Sequence, residues 1–373
     1  MKKVILTFLF VLGVMGGWGN CAYAKDLRVT FLNPGSSKDI GVWRMVSNFM
    51  QAAADDLNIK LEILYADRNH IKMIGQAEKV ARRLSPPDYV ILVNEKMAGK
   101  EMLSFFKNVT SKILFIHNGL TEQQRKEVGN ERVRIKNWIG TLTTDEYQSG
   151  YKLMRELYQT TESAPNILGI TGTKSTPVSL IRLHGAKGYI KESGRGKHSQ
   201  VVYGKWSYQD GKEKTLALLK RHKDIDIIWA ANDSMALGAY DATQEIKYNR
   251  EIKVGGLGGF PDALESIKNG GMKVTVGGTV MTGAWALILI HDYHSGIDFI
   301  NDIPANYSVD HNTIISTAKQ ADRFAKVVLN EPQKIDFRQF SKKLNPNLTK
   351  YEFRYEKLIQ AKESESQINH NEE

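Results

Sequence analysis

Residues 227–242 read IIWAANDSMALGAYDA, and this stretch decides the fold. Residues 225–230, which are apolar except for Asp226, predict a buried strand, and helical spacing begins at Ser234. Asn232 and Asp233 lie at the junction, where their side chains can accept hydrogen bonds from free amide groups at the helix start. In a parallel sheet, the residues after a strand face the crevice in which ligands bind. The stretch therefore predicts a strand–turn–helix unit of an α/β protein with polar groups at a ligand site.

The segments on either side follow the same pattern. Residues 254–276 read VGGLGGFPDALESIKNGGMKVTV: a strand, a glycine-rich turn, a helix that begins at Pro261, and a second strand. Strand-like runs alternate with helix-length segments from residue 27 to residue 117, and the alternation begins again after residue 143. This alternation predicts parallel sheets with helices on both faces. We therefore predict two doubly wound α/β lobes whose loops converge on one cleft.

Both quoted stretches resemble the hallmark blocks of the type I periplasmic binding proteins, a family that includes ribose-type and galactose-type sugar receptors and the autoinducer-2 receptor. The resemblance extends from about residue 27 to residue 328, and NDSMALGA is its most specific part. It implies a hinge of three crossovers, near Leu142, Gly278 and Val309. The implied division is an N-terminal lobe (residues 25–142 and 279–308), a C-terminal lobe (residues 143–278 and 309–350) and a polar C-terminal tail (residues 351–373).

The resemblance also implies which side chains bind the ligand. Trp43 and Trp206 match the family's two aromatic residues that stack on the C–H faces of a sugar. Arg182 matches an arginine that holds two ligand oxygens, and Asn232 matches a ligand-binding asparagine. Asp233 either contacts the ligand or caps the helix. Core packing of the tryptophans and a surface salt bridge of Arg182 are the structural alternatives.

Other candidate residues depart from the ribose-receptor pattern. His117 and Asn118 stand where ribose receptors have an aspartate and an arginine. Leu257 stands where the autoinducer-2 receptor has an aromatic residue, and the glycine after it replaces a usual aspartate. Ser37 and Asp39, in the loop after the first strand, are further candidates for polar contacts. We therefore expect a cleft that is roomier and less charged than that of a ribose receptor.

The first 24 residues have the pattern of a secretory signal peptide. Two lysines precede an apolar run (residues 4–14), and Ala22-Tyr23-Ala24 supplies the small residues of a cleavage site. We expect cleavage after Ala24 and export to the periplasm. The alternatives are an uncleaved N-terminal anchor and acylation of Cys21, which follows a poor lipobox.

Composition and motifs limit the chemistry. The formal net charge is +10, but the basic residues are scattered among acidic ones, so we do not expect nucleic acid as a partner. Residues 169–176 (GITGTKST) lack the glycine that precedes the lysine of a phosphate loop. Residues 291–294 (HDYH) lack a third metal ligand at a recognisable spacing. With no nucleophile–base motif either, the sequence predicts a non-enzymatic receptor with no catalytic residue, metal or cofactor.

We therefore expect a monomeric periplasmic receptor that closes on a small polar ligand, such as a sugar. Two kinds of membrane partner fit this expectation. One is the permease of an ABC importer, and the other is a sensor, such as a histidine kinase or a diguanylate cyclase, that detects the closed state. Both partners require the same fold and the same cleft, so the sequence leaves both open.

Overall fold

The computed structural model describes residues 26–38, 41–246, 250–310, 312–329, 335–355 and 357–358. The predicted signal peptide, Asp39 and the end of the predicted tail lie outside these ranges. Within them, no helix combines the length and the apolar character that a membrane crossing requires.

Strands and helices alternate along the described chain. The strands are β1 (Leu27–Asn33), β2 (Ile59–Tyr65), β3 (Tyr89–Leu92), β4 (Lys112–Ile116), β5 (Trp138–Thr144), β6 (Asn166–Thr171), β7 (Lys197–Tyr203), β8 (Ile227–Ala230), β9 (Lys253–Gly258), β10 (Val274–Gly277), β11 (Asn306–Val309) and β12 (Thr313–Ile315). The helices are α1 (Val42–Asp56), α2 (His70–Ala81), α3 (Gly99–Phe105), α4 (Glu122–Val128), α5 (Glu146–Gln159), α6 (Pro177–Ser193), α7 (Tyr208–Arg221), α8 (Asp233–Ile246), α9 (Pro261–Lys268), α10 (Thr282–His294) and α11 (Ala318–Phe324).

The strands form two six-stranded sheets of matching topology. The N-terminal lobe has the order β11-β5-β4-β3-β1-β2, and the C-terminal lobe has the order β12-β10-β9-β8-β6-β7. All neighbours are parallel except β12, which runs antiparallel to β10. Every residue of β3 and β8 is buried, as expected for strands that helices cover on both faces. The prediction of two doubly wound lobes is therefore confirmed.

Three connections between the strands of the described chain cross between the lobes, next to the sequence-predicted positions. The chain leaves the first sheet after Thr144, returns to the N-terminal lobe after Gly277, and leaves again after Val309. Gly278, at the second crossing, has a φ of 125°, a backbone conformation that side-chain-bearing residues rarely adopt. The glycine therefore allows the abrupt change of direction into α10.

A further segment returns to the N-terminal lobe, which the sequence analysis did not predict. The Asp56 carboxylate accepts a hydrogen bond from the Phe337 amide at 2.7 Å. The ring centroids of Phe337 and Phe340 lie 6.1 and 5.0 Å from that of Trp285, in the helix α10. Residues 335–350 therefore pack against the N-terminal lobe, although the sequence division placed them in the C-terminal lobe.

Residues 351–355 are also packed, in contrast to the polar tail that the sequence predicted. Tyr351, Phe353 and Tyr355 are buried, and Phe353 stacks on Trp285 with ring centroids 5.0 Å apart. The Tyr351 hydroxyl donates to Asp292 at 2.9 Å. The three aromatic residues alternate with charged ones, which lets an extended segment bury one face. The sequence analysis assigned residues 351–373 to a tail by their overall polar composition, and so it missed this alternation.

Candidate ligand-binding site

A cavity of about 420 Å³ lies between the lobes, beyond the carboxyl ends of both parallel sheets. Small-molecule sites commonly measure about 300–1,000 Å³. In each sheet the strand order reverses beside the first strand of the lobe, between β1 and β3 and between β6 and β8. Ligands of doubly wound sheets bind at such reversals. The topology therefore places two switch points against the same cavity.

Seven of the ten predicted site residues line this cavity. They are Trp43, His117, Asn118, Arg182, Trp206, Asn232 and Leu257. Of the other three, Asp39 lies outside the described residues and Ser37 is exposed outside the cavity lining. The carbonyl of Ser37 accepts a hydrogen bond from Arg44 at 2.7 Å. Ser37 therefore does not line the cavity, and a ligand contact of Asp39 stays a prediction.

Each lobe contributes one tryptophan to the cavity wall. Trp43, in the first turn of α1, is 5% exposed and contacts the His117 ring edge-on at a centroid distance of 4.9 Å. Trp206 follows β7 and has a φ of 66°, which is strained for a bulky residue. Its ring occupies the space above Gly172, where an added Cβ would lie 1.9 Å from a ring atom. The two tryptophans therefore have structural contacts as well as a face on the cavity.

The indole Nε1 of Trp206 is a buried donor that finds no acceptor among the described residues. Leaving such a group unpaired costs about 1–3 kcal/mol, so the position of this indole carries a penalty that other contacts of the wall must offset. Asn232 holds this tryptophan in place, because its side-chain amide donates to the Trp206 carbonyl at 2.9 Å. Its Oδ1 accepts from the Met235 amide at 2.9 Å and caps α8. Asn232 is therefore a positioning residue as well as a lining residue.

Arg182 lines the cavity but is already bound to the protein. Its Nε and Nη2 donate to the two carboxylate oxygens of Glu146 at 2.5 and 3.1 Å, and its Nη1 donates to the Ala231 carbonyl at 2.7 Å. Both side chains are buried. Glu146, in the first turn of α5, and the Ala231 carbonyl thus engage three of the five N–H groups of the guanidinium, and two remain. The interaction is a buried salt bridge and not a surface pair, and ligand binding by Arg182 stays a prediction.

Asp233 points away from the cavity, which corrects its assignment as a ligand-binding candidate. Its carboxylate is fully buried and accepts from Thr275 Oγ1 at 2.6 Å and from the Phe260 amide at 2.9 Å. Burial raises the pKa of Asp233 to about 6 because the hydrogen bonds only partly offset the loss of water. Asp233 therefore fixes the glycine-rich turn after β9, and Asn232 alone caps the helix.

Sequence reasoning missed most of the charge in the cleft. Arg68, Glu95, Glu146 and Lys205 line the cavity with Arg182, so the cleft is more charged than we expected. The expectation considered only positions that are polar in sugar receptors. Glu95 follows the buried strand β3 directly after Asn94, in the same way that Asn232 follows β8. A search for polar residues that closely follow a buried strand would have identified Glu95.

Known proteins share this fold. A family model described as a periplasmic binding protein domain matches residues 136–296. The crystal structure of a periplasmic sugar-binding protein from Pseudomonas fluorescens superposes with a TM-score of 0.80 and 29% identity, covering 90% of this chain and 99% of that one. An ABC transporter solute-binding protein from Actinobacillus succinogenes, solved with D-allose, superposes with a TM-score of 0.69 at 19% identity, covering 79% of this chain and 99% of that one, and shares the fold.

Curated relatives match shorter segments. The galactofuranose-binding protein YtfQ of Escherichia coli is 26% identical over 145 residues, which are 37% of this chain and 46% of that protein. The transcriptional regulator AscG of Escherichia coli is 31% identical over 117 residues, 31% of this chain and 34% of that protein. The chain thus aligns with a third to a half of each of these two relatives.

Two similar α/β lobes with a cleft between their switch points form the type I periplasmic binding protein fold. The family model over residues 136–296 and the superposition with the Pseudomonas fluorescens protein make this chain similar to the type I periplasmic binding proteins, in agreement with its sequence resemblance.

Proposed function

We propose that this protein is a periplasmic receptor that closes its two lobes on a sugar or a polyol and delivers it to an ABC importer. The observation that carries the proposal is the cavity of about 420 Å³ with a tryptophan on each side. Aromatic faces pack against the C–H surface of a sugar ring, and the polar side chains that line the cavity can form hydrogen bonds with its hydroxyl groups.

The names of similar proteins support this ligand class. They include the galactofuranose-binding protein of Escherichia coli and solved structures with D-allose and with myo-inositol. These relatives differ in their ligands, so they support a class of polyhydroxylated molecules and not one sugar. The two structures solved with D-allose and with myo-inositol are both described as ABC transporter solute-binding proteins, which favours an importer as the partner over a membrane sensor.

Contacts at the hinge explain how closure can be cooperative. The Asn312 side chain, after the third crossing, donates to the Asp145 carbonyl at 3.0 Å and accepts from Ser149 at 2.6 Å. Lys152 and Asp310 form an ion pair at 2.8 Å beside them. These contacts join the first and third crossings, so the crossings should move as one unit. A ligand that contacts both walls of the cleft would then shift the population toward the closed state.

Thermal unfolding with a panel of neutral ligands tests the proposal. The panel is D-allose, D-galactose, L-arabinose, myo-inositol and allitol. At least one of them should raise the midpoint temperature, because a ligand that binds only the native state stabilises it. If none of them binds by thermal shift or by calorimetry, the proposed function is wrong.

A matched pair of variants then locates the site. Trp206→Leu removes the aromatic wall of the C-terminal lobe, three residues after β7. Tyr203→Leu removes an exposed aromatic side chain at the end of β7, outside the cavity lining. For the ligand that binds, Trp206→Leu should weaken the affinity about tenfold or more, which corresponds to a loss of about 1.4 kcal/mol. Tyr203→Leu should leave it unchanged. Equal affinities in the two variants would place the ligand elsewhere.

A further inference from the structure

The N-terminal wall of the cleft contains an ion pair between Arg68 and Glu95. The Glu95 side chain is 2% exposed, and Arg68 Nη2 lies 3.3 Å from its Oε1. This oxygen is buried, yet it accepts no hydrogen bond from the described residues. A buried carboxylate oxygen in this state is costly unless a donor reaches it. Glu95 lines the cavity, so a ligand that shifts the half-exposed Arg68 side chain away from this oxygen can supply that donor.

The surrounding backbone holds this pair in place. Asn94 anchors the turn, since its side chain donates to the Gly119 carbonyl at 2.9 Å and accepts from the Gly99 amide at 2.8 Å. Arg68 and Lys96 have φ values of 59° and 46°, which non-glycine residues rarely adopt. The Lys96 ammonium donates to the Arg68 carbonyl at 3.3 Å and joins the two loops. Strain of this kind persists where the surrounding structure maintains a functional geometry.

We propose that the Arg68–Glu95 pair recognises one hydroxyl group of the bound sugar or polyol and selects an uncharged ligand. The hydroxyl donates to Glu95 Oε1 and accepts from the Arg68 guanidinium, because a hydroxyl is both a donor and an acceptor. Arg68 is 41% exposed and has room to move aside. This inference rests on the proposed function and adds to it the charge class of the ligand and a specificity-determining residue.

Charge in the rest of the cleft agrees with an uncharged ligand. A ligand carboxylate at this wall would face Glu95, and a ligand ammonium would face Arg68, so each would meet a like charge. On the opposite wall, Glu146 and Arg182 neutralise one another. Lys205 is exposed, where water solvates its ammonium without help from an anion. The remaining groups therefore impose no net requirement for a charged ligand.

Calorimetric titration of the mature chain with the five neutral ligands, D-galacturonate and D-galactosamine tests the inference. Wild type should bind at least one neutral ligand and should prefer it to both charged probes. Glu95→Gln keeps an acceptor but loses its charge, so it should weaken that neutral ligand about fivefold or more, the difference between a hydrogen bond to a charged group and one to a neutral group. The matched control is Glu62→Gln, because Glu62 forms a bidentate pair with Arg83 on the same lobe outside the cavity. It should leave the affinity within twofold of wild type.

The outcomes separate this inference from the proposed function. If wild type binds a neutral ligand and Glu95→Gln binds it equally well, the inference is overturned and the proposed function stands. A preference for D-galacturonate or D-galactosamine overturns the inference too. If no probe binds wild type, both are overturned. Arg68→Lys, at an exposed position, is the second variant. It keeps the charge but loses the planar fork of donors, so it should also weaken the neutral ligand, and unchanged affinity would again overturn the inference.

Discussion

The two lobes present similar groups to the cleft, but their ion pairs differ. Each lobe contributes a tryptophan, an asparagine that follows a strand, and a guanidinium–carboxylate pair. In the C-terminal lobe, three nitrogens of Arg182 are engaged by Glu146 and the Ala231 carbonyl. In the N-terminal lobe, Arg68 and Glu95 approach each other at 3.3 Å, and the arginine is 41% exposed. We call Arg182–Glu146, whose guanidinium donates hydrogen bonds to the carboxylate, the closed pair. We call Arg68–Glu95, whose guanidinium is partly exposed, the open pair.

This difference suits one ion pair to a structural role and the other to ligand recognition. A guanidinium that donates to a buried carboxylate can exchange that partner for a ligand only by leaving the carboxylate unpaired, so Arg182 can offer a ligand only its two remaining N–H groups. The open pair has no such obstacle, because water can solvate the exposed Arg68. The C-terminal pair therefore stabilises its wall, and the N-terminal pair is the one that can exchange partners.

Removing the carboxylate of the closed pair should have the largest effect on stability. Glu146→Gln leaves the Arg182 guanidinium buried without a counter-charge, and we expect a loss of about 3–5 kcal/mol in the free energy of unfolding. Urea unfolding of the ligand-free protein measures it. The control is Glu78→Gln, which breaks an exposed pair with Arg82 and should cost less than about 1 kcal/mol. A similar small loss in both variants would show that the closed pair is not structural.

Each lobe also contains a fully buried aspartate, and the pKa values of the two shift in opposite directions. Burial raises the pKa of Asp233 in the C-terminal lobe to about 6. In the N-terminal lobe, burial alone would raise the pKa of Asp292, but hydrogen bonds from His291, Ser341 and the Lys342 amide lower it below its usual value. The number of donors decides the direction.

Asp233→Asn should make this contrast measurable through pH. Because the native pKa of Asp233 is raised, its contribution to stability is fully present below its unfolded pKa of 3.8 and is lost as the pH rises through about 6. Asparagine does not titrate, so the variant should gain about 2–3 kcal/mol relative to wild type between pH 4 and pH 7.5. Urea unfolding at both pH values measures the difference. A difference that is independent of pH would contradict the raised pKa.

The sequence predicted the two-lobed fold because its strands are apolar runs with clear boundaries. It did not predict β5, β11 and β12, which lie next to the crossings and depend on pairing with distant strands. It also missed the aromatic segment after residue 350, whose burial requires Trp285 as a partner. Local pattern identifies the centre of each sheet, and tertiary contacts determine its edges and its covering.

The same contrast between local sequence and tertiary contacts applies to the site residues. The family resemblance implied that Trp43, Trp206 and Asn232 lie at the cleft, and each of them follows a strand of a doubly wound sheet. The state of Arg182 depends on Glu146, which is 36 residues away in the sequence, so no local pattern could reveal it. Arg68 and Glu95 belong to loops that follow different strands, and only the folded sheet makes them neighbours.

The smallest expected effect on stability concerns the open pair. Glu95→Gln in the ligand-free protein should change the free energy of unfolding by less than about 1 kcal/mol, since water solvates the released Arg68 and a buried charge is removed. Urea unfolding under the conditions used for Glu146→Gln gives the comparison. The same substitution would then destabilise one lobe severalfold more than the other. A loss as large as that of Glu146→Gln would mean that the N-terminal pair is also structural, and any loss of sugar affinity in Glu95→Gln would then have to be attributed to the fold of that wall.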